Sequence, residues 1–255
     1  MPRPGLPDPT SVIAKKTVTP FPLQPDLATT TTPFRILVTN EVDPYDPPFS
    51  LDEADAGFNL EAAAGDNFKG KSRKAAKISI ASASMEPTFE DLTDLIDSLA
   101  PDAGMEEHEP PIEKTSDSDR VEEENRNVRV EAFLYAASRE DDNDYHLILG
   151  RDPDLVEEEG GELYMNVEIS GLPPADSPHL SKLRSARKSF KDFFGDNLPG
   201  TSYQFYDPPL SVTVEGSLFF DITHATGGKP GPQSLRDNIP TIWEIHPITK
   251  MTFHE

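Results

Sequence analysis

Hydrophobic and polar residues follow different patterns in the two halves of the chain. From residue 128 onward, short apolar segments recur at regular intervals, over 128–137, 145–150, 163–171, 210–221 and 241–253. Such segments either alternate with polar residues or are apolar on both faces, and both patterns are typical of β-strands. The pattern therefore predicts a β-rich domain over residues 127–255 with five strands.

The segment 179–195 has the most pronounced helical pattern in the chain. One face of the predicted helix is apolar and is formed by Leu183, Ala186, Phe190 and either Phe193 or Phe194. Ser177 and Pro178 suit the start of a helix, and Gly195 suits its end. We therefore predict one helix between the third and the fourth strand.

The order of these elements indicates a fold. Three strands, a helix and two further strands form the element order of the OB-fold, a five-stranded Greek-key barrel. Closure into a barrel also removes the sheet edges that apolar strands would otherwise expose. The prediction is a mainly β, OB-fold-like domain.

The N-terminal half lacks such a pattern. Residues 1–126 are rich in proline, threonine and acidic residues, and their apolar positions are sparse. We expect a largely disordered acidic arm. Its one helical pattern lies near 88–99, where Leu92, Leu95, Ile96 and Leu99 recur at helical spacing and Thr88 suits the start.

Three segments of the C-terminal half resemble a known group of proteins. They are DDNDYHLIL (141–149), SLFFDITH (217–224) and TIWEIHPITKM (241–251). As a set they are similar to segments of uncharacterised bacterial proteins with an OB-fold-like C-terminal domain. The resemblance covers about half of the chain and implies the fold, but no activity is established for that group.

Composition and charge narrow the range of functions. The formal net charge is −23, and acidic residues outnumber basic ones in both halves. Nonspecific nucleic-acid binding depends on a basic surface, so the charge disfavours such a partner. The chain has no cysteine, which excludes thiolate chemistry and cysteine-ligated metals. The N-terminus has no signal-peptide pattern and no apolar run could span a membrane, so we expect a cytoplasmic protein without a membrane partner.

Two predicted loops carry side chains that suit the binding of a ligand or a metal. Strands one and two are joined by a loop, here termed L12, over 139–144, and strands four and five by a loop, L45, over 223–240. In an OB-fold these loops flank the usual binding face. The candidate ligand-binding or metal-binding residues at or beside them are Asp142, Asp144, His146, Asp221, His224 and Arg236.

The same residues permit two interpretations. Solvated acidic turns and histidines that bond backbone groups indicate a noncatalytic module, which binds a protein partner or a small polar ligand through L12 and L45. Histidines next to carboxylates also suit a divalent metal, and then a metal-dependent hydrolase or nuclease is the alternative. The residues favour the binding module and assign no catalytic group. We expect His246, directly before Pro247, to be structural and to bond a carbonyl near the end of the sheet.

Overall fold

The computed structural model describes residues 12–16, 34–43, 65–155, 161–226 and 228–254. These residues form a mainly β structure with one mixed sheet of eight strands. The strands are β1 (Val12–Lys16), β2 (Phe34–Val38), β3 (Met85–Phe89), β4 (Asn127–Arg139), β5 (Tyr145–Gly150), β6 (Tyr164–Ile169), β7 (Gln204–Phe220) and β8 (Trp243–Phe253). The helices are α1 (Lys74–Lys77), α2 (Leu92–Asp97), α3 (Asp102–Glu106) and α4 (Leu180–Phe194).

The strands pair in the order β1-β2-β7-β8-β6-β5-β4-β3, and β4 also pairs with β7. Most neighbours are antiparallel, whereas β6 pairs in parallel with β8 and β3 pairs in parallel with β4. The register of the central pairs places Leu147 opposite Val167, and Val167 opposite Ile245. Since side chains alternate along a strand, these residues share one face of the sheet.

That face carries the main apolar core. Leu147, Val167, Leu218 and Ile245 are fully buried in it together with Trp243. Six of the residues next to them on the strands, which point to the opposite face, are polar: His146, Asn166, Glu168, Ser217, Glu244 and His246. The apolar face determines the register, because a shift of one residue would move these side chains to the other side.

The predicted helix over 179–195 is confirmed as α4. It buries Leu183, Ala186, Phe190 and Phe194, as its apolar periodicity indicated. Gly195 follows the last turn at φ 54, a left-handed conformation in which glycine lacks the steric cost of a side chain. Arg187 of α4 is also buried, and its Nε lies 3.1 Å from Asp66 Oδ1.

The number of strands differs from the five that the sequence predicted. The five predicted strands correspond to β4, β5, β6, β7 and β8, and β7 begins at Gln204, six residues before its predicted start. The additional strands come from the N-terminal half. Among them, β2 pairs with β7, and it buries Phe34, Ile36 and Leu37.

Part of the predicted disordered arm is folded in the described residues. Phe68, Ala76, Leu92, Leu95 and Met105 are buried, so residues 65–126 pack on the C-terminal strands. Outside α2, their apolar residues enter the core of the β domain singly, which explains why those segments show no periodicity of their own. The remainder of the arm, apart from 12–16 and 34–43, lies outside the described residues.

The short helix predicted near 88–99 is present as α2, but it begins later. Its cap is Asp91, whose side chain accepts a hydrogen bond of 2.7 Å from the backbone N–H of Thr93. Thr88, the predicted cap, belongs to β3. Asp91 also accepts hydrogen bonds from Arg151, and this pair fastens α2 to the sheet. Within the described ranges, the helices are all too short or too polar to cross a membrane.

Candidate metal centre

Three adjacent strands carry polar side chains on the face opposite the apolar core. His146 lies on β5, Asn166 and Glu168 lie on β6, and Glu244 and His246 lie on β8. All five side chains are buried. We define the buried cluster as Lys77, Asp142, Asp144, His146, Glu168, Asp221, His224, Glu244 and His246.

The loop between β4 and β5 brings two aspartates to the buried cluster. A tight turn closes this loop, with Asn143 N–H donating to Glu140 O at 3.1 Å and Glu140 N–H donating to Asp144 O at 2.9 Å. Asn143 adopts φ 76, a left-handed conformation that asparagine tolerates better than most residues. Asp144 N–H donates to Asp142 Oδ1 at 3.1 Å, and Asp144 Oδ1 accepts from Gly171 N–H.

Residues 66–77 lie against this loop and supply a lysine. Lys69 N–H donates to Asp142 O at 2.9 Å, and Phe68 N–H donates to Leu172 O at 3.0 Å. A β-carbon at Gly171 would lie 2.6 Å from the Phe68 Cα, so the close approach requires glycine at residue 171. At the end of the segment, Lys77 Nζ lies 3.9 Å from Asp221 Oδ2.

His246 is at the centre of the buried cluster. Its Nε2 lies 3.3 Å from Asp144 Oδ2, and its Nδ1 lies 2.9 Å from Glu168 Oε2. One ligand atom from each of these three residues lies within 4.8 Å of those of the other two, and all three side chains are buried. Histidine nitrogen and carboxylate oxygen together suit Zn²⁺ and Mn²⁺.

Several buried polar atoms of the cluster lack hydrogen-bond partners among the described residues. They are Asp144 Oδ2, His146 Nε2, Glu168 Oε2, His224 Nδ1, both oxygens of Glu244 and both ring nitrogens of His246. His246 Nδ1 and Glu168 Oε2 are close, but their angle is not that of a hydrogen bond. A buried polar atom without a partner costs about 1–3 kcal/mol, and more if it is charged. Such a concentration of these atoms indicates a ligand.

Burial shifts the protonation of the cluster. It raises the pKa of Asp144 well above its usual value, and the neighbouring Asp142 and Glu168 raise it further. It also raises the pKa of Glu244 strongly, with Glu168 and Asp221 adding to the effect. Burial lowers the pKa of His246, so its ring is neutral near pH 7. A neutral imidazole is the form that binds a metal.

His146 is held in place from one side of its ring. Its Nδ1 lies 2.7 Å from Glu140 Oε1 and 3.1 Å from the Tyr203 hydroxyl. Nε2 is then the ring nitrogen left for a ligand. A carboxylate that orients a histidine through its other nitrogen is a common arrangement in metal sites. His146 is therefore a further candidate ligand.

Asp221 and His224 form a second part of the cluster, directly after β7. Asp221 Oδ2 lies 3.1 Å from His224 Nδ1, while Asp221 Oδ1 accepts a hydrogen bond of 2.9 Å from Thr223 N–H. Burial acts to raise the pKa of Asp221, but Lys77 and His224 outweigh it and hold it far below its usual value. Asp221 is consequently an anion at neutral pH.

The structure brings five of the six residues predicted from sequence into the buried cluster: Asp142, Asp144, His146, Asp221 and His224. The sixth, Arg236, donates to the carbonyl oxygen of Gly231 within its own loop. Gly231 N–H in turn donates to Asp43, and a β-carbon at Gly231 would lie 3.4 Å from Asn166 Oδ1. Arg236 therefore stabilises the part of L45 that lies over the cluster.

Sequence reasoning missed the centre itself. His246 was expected to bond a carbonyl, but its ring nitrogens face Asp144 and Glu168. Glu168 and Lys77 were not considered, although Glu168 and Asn166 alternate with apolar residues inside a strand. Polar residues repeated at i, i+2 in a strand that should be buried were the available signal.

Comparison of the chain with family models, curated proteins and solved structures gives no significant match.

Proposed function

We propose that this chain is a divalent-metal-dependent hydrolase whose metal is bound by Asp144, Glu168 and His246. The observation that carries the proposal is the set of buried polar atoms on these three residues that lack hydrogen-bond partners within the described ranges. A divalent cation would satisfy the two carboxylate oxygens and a ring nitrogen together, and would offset the charge that burial disfavours.

We further propose that the C-terminal strands form an OB-fold-like barrel. The pairings β4-β5-β6-β8-β7 return to β4, β6 is parallel to β8, and α4 lies between β6 and β7 along the chain. OB-folds bind ligands on a strand face that L12 and L45 flank. The buried cluster lies on β5, β6 and β8 beside both loops, and this position supports a functional role by analogy of fold alone.

The chain's own residues have distinct roles in such a reaction. A bound metal supplies a hydroxide near neutral pH and polarises the substrate oxygen. Asp142 is partly exposed and burial raises its pKa, so it suits proton transfer at the solvent-facing edge of the buried cluster. Lys77, with its side chain 11 % exposed, offers a positive charge to an anionic substrate. The acidic surface favours small substrates over polynucleotides.

The test uses the full chain after treatment with a chelator. We expect calorimetric titration with Mn²⁺ and Zn²⁺ to show saturable binding, and His246→Ala to remove the binding at the set of Asp144, Glu168 and His246. His254→Ala is the matched control, because His254 is an exposed histidine just after the same strand. Chromogenic phosphate and carboxylate esters then test turnover, which should require the metal. Absence of binding, or equal binding by His246→Ala, would overturn the proposal.

A noncatalytic binding module is the second candidate. The observation in its favour is that both predicted loops border the cluster, since L12 supplies Asp142 and Asp144 and L45 lies over Asn166. Such a module uses the bound metal to recognise a small polar ligand, or a protein partner that tolerates the acidic surface of this chain. Metal binding without turnover of any ester would select this candidate over the hydrolase.

A further inference from the structure

A second set of possible ligands lies beside the first. Asp221, His224 and Glu244 each place one ligand atom within 4.8 Å of those of the other two. The set comes from two adjoining strand ends, because Asp221 and His224 follow β7 and Glu244 is the second residue of β8. None of these residues belongs to the set of Asp144, Glu168 and His246.

Glu244 provides an independent indication of a ligand at this second set. Its side chain is fully buried, and neither carboxylate oxygen has a hydrogen-bond partner in the described part of the chain. In a protein interior such a carboxylate is paired, protonated or bound to a metal. The oxygens lie close to Asp221 and His224, which have the same ligand chemistry.

The two sets adjoin. His246 Nδ1, of the first set, lies 3.7 Å from Glu244 Oε2, of the second. Two metals that act on one substrate lie about 3.5–4 Å apart. Neighbouring ligand sets at this contact distance are compatible with such a spacing.

A third group, Glu140, His146 and Glu168, is a weaker candidate for a second ion. His146 Nδ1 is already occupied by Glu140 and by the Tyr203 hydroxyl. Glu168 also belongs to the first set. The contacts with Glu140 and Tyr203 instead orient the His146 ring beside the set of Asp144, Glu168 and His246.

The carboxyl groups of the cluster outnumber its lysine. Five of them, on Asp142, Asp144, Glu168, Asp221 and Glu244, each interact electrostatically with Lys77. Burial disfavours the charged form of a carboxyl group, and bound cations would offset that cost in the low-dielectric interior.

We propose that Asp221, His224 and Glu244 bind a second divalent cation, so that the centre is binuclear and acts on phosphate esters. This inference rests on the proposed function, because it adds a second ion to the same centre. Two adjacent cations stabilise both the attacking and the leaving oxygen of a displacement at phosphorus.

The reaction is a hydrolysis and needs no further reactant. The oxygen of a metal-activated water bonds to phosphorus, and the bond from phosphorus to the leaving alcohol oxygen breaks. The alcohol takes up the proton that the water gave up. The exposed part of His224, 17 % of its side chain, places the second set nearer to the surface, where the substrate enters.

The experiment measures the number of ions bound. The full chain, freed of metal, is titrated with Mn²⁺ by calorimetry, and electron paramagnetic resonance then reports whether two bound Mn²⁺ ions are magnetically coupled. We expect two ions and a coupled spectrum in the wild-type protein. In His224→Ala we expect one ion, an uncoupled spectrum and a loss of about 100-fold or more in affinity at the second set, at or above the usual effect of a change near a metal.

The outcomes separate the two proposals. One ion in the wild-type protein, unaffected by His224→Ala and lost in His246→Ala, overturns the binuclear centre and leaves the hydrolase proposal intact. Two ions that both persist in His224→Ala and in Glu244→Gln also overturn it. No ion in the wild-type protein overturns both proposals. Circular dichroism of each variant shows that a lost ion does not reflect an unfolded chain.

Discussion

Two buried charged regions both contact Phe219 and differ in how their polar atoms are satisfied. In the first, Arg73 and Glu124 are fully buried and share two hydrogen bonds, of 2.6 and 2.8 Å. Glu124 also accepts hydrogen bonds from the backbone N–H of Phe220 and of Val121, and Arg73 donates to the carbonyl of Asp119. Among the described residues, Nε of Arg73 is the atom of this pair without a partner.

In the second region, the buried cluster, eight ligand-type atoms lack a hydrogen-bond partner among the described residues. Phe219 contacts both regions, with Arg73 Cζ 4.7 Å from its ring centroid and the His246 ring 5.5 Å away. The two regions are therefore similar in burial and share Phe219 as a neighbour, but they differ in how many of their polar atoms have hydrogen-bond partners. Buried polar groups with a structural role are normally satisfied within the protein. The contrast indicates that the first region stabilises the fold and the second binds a ligand.

The largest expected effect concerns the satisfied pair. Arg73→Leu leaves the Glu124 carboxylate buried without its partner and should lower the free energy of unfolding by about 3–5 kcal/mol. Urea denaturation followed by circular dichroism measures this. The double variant Arg73→Leu/Glu124→Leu should recover much of the loss, because it removes the unpaired charge. A loss below about 1 kcal/mol in the single variant would show that the pair is not structural.

The next effect concerns metal at the buried cluster. A metal at 100 times its dissociation constant should raise the free energy of unfolding of the wild-type protein by about 2.7 kcal/mol, because it binds the folded state alone. His246→Ala should lose the part of this gain that comes from the set of Asp144, Glu168 and His246, and His254→Ala should keep all of it. Thermal unfolding with and without Mn²⁺ provides the measurement. An equal gain in all three proteins would place the metal elsewhere.

Without metal, the unsatisfied cluster should reduce stability. Because burial raises the pKa of Glu244, its charged form is disfavoured in the folded state. Glu244→Gln should therefore stabilise the metal-free protein near pH 7 by roughly 1–2 kcal/mol, within the usual cost of a buried polar group that lacks a partner. Urea denaturation in the presence of a chelator measures the change. A destabilised variant would mean that Glu244 has a stabilising partner.

The same variant has a pH dependence of known sign. A carboxyl with a raised pKa in the folded state adds stability below its unfolded pKa and loses it as the pH rises through its folded pKa. The advantage of Glu244→Gln should accordingly shrink as the pH falls, since the wild-type carboxyl becomes protonated. An advantage that grows toward acidic pH would contradict the direction of the shift.

The smallest effect extends the comparison to the protein surface. Lys188 and Asp192 form an ion pair one turn apart on α4, and both side chains are largely exposed. Lys188→Ala should change the free energy of unfolding by no more than about 0.5 kcal/mol, because solvent screens such pairs. Urea denaturation at low and high salt would show this. A loss of unfolding free energy as large as that of Arg73→Leu would show that burial does not explain the difference between the two ion pairs.

Sequence patterns predicted what depends on local periodicity. Helix α4 follows from apolar residues at helical spacing and a terminal glycine, and β5 has the bounds that its apolar run indicated. Asp144, directly before β5, and His146, on β5, lie two residues apart in an extended segment, so a common face was predictable. The order of the elements also predicted that Asp221 and His224 lie near Asp144 and His146.

Other parts of the centre depend on contacts that are distant in sequence. Lys77 comes from a four-residue helix without periodicity, and it reaches Asp221 across the sheet. Residues 65–126 fill gaps in a core that other segments build, so their own pattern resembles that of a disordered chain. His246 precedes a proline near the chain end, where a structural role is the usual one, and nothing local indicates Asp144 or Glu168 as its neighbours.

The most direct test of the central claim is anomalous X-ray diffraction from crystals of the full chain soaked in Mn²⁺ or Zn²⁺. We predict an anomalous peak within about 2.0–2.2 Å of ligand atoms of Asp144, Glu168 and His246, at the usual length of bonds from zinc to nitrogen and oxygen. Crystals with saturating metal but no peak at these residues, in which their free atoms instead bond one another or water, would contradict the account.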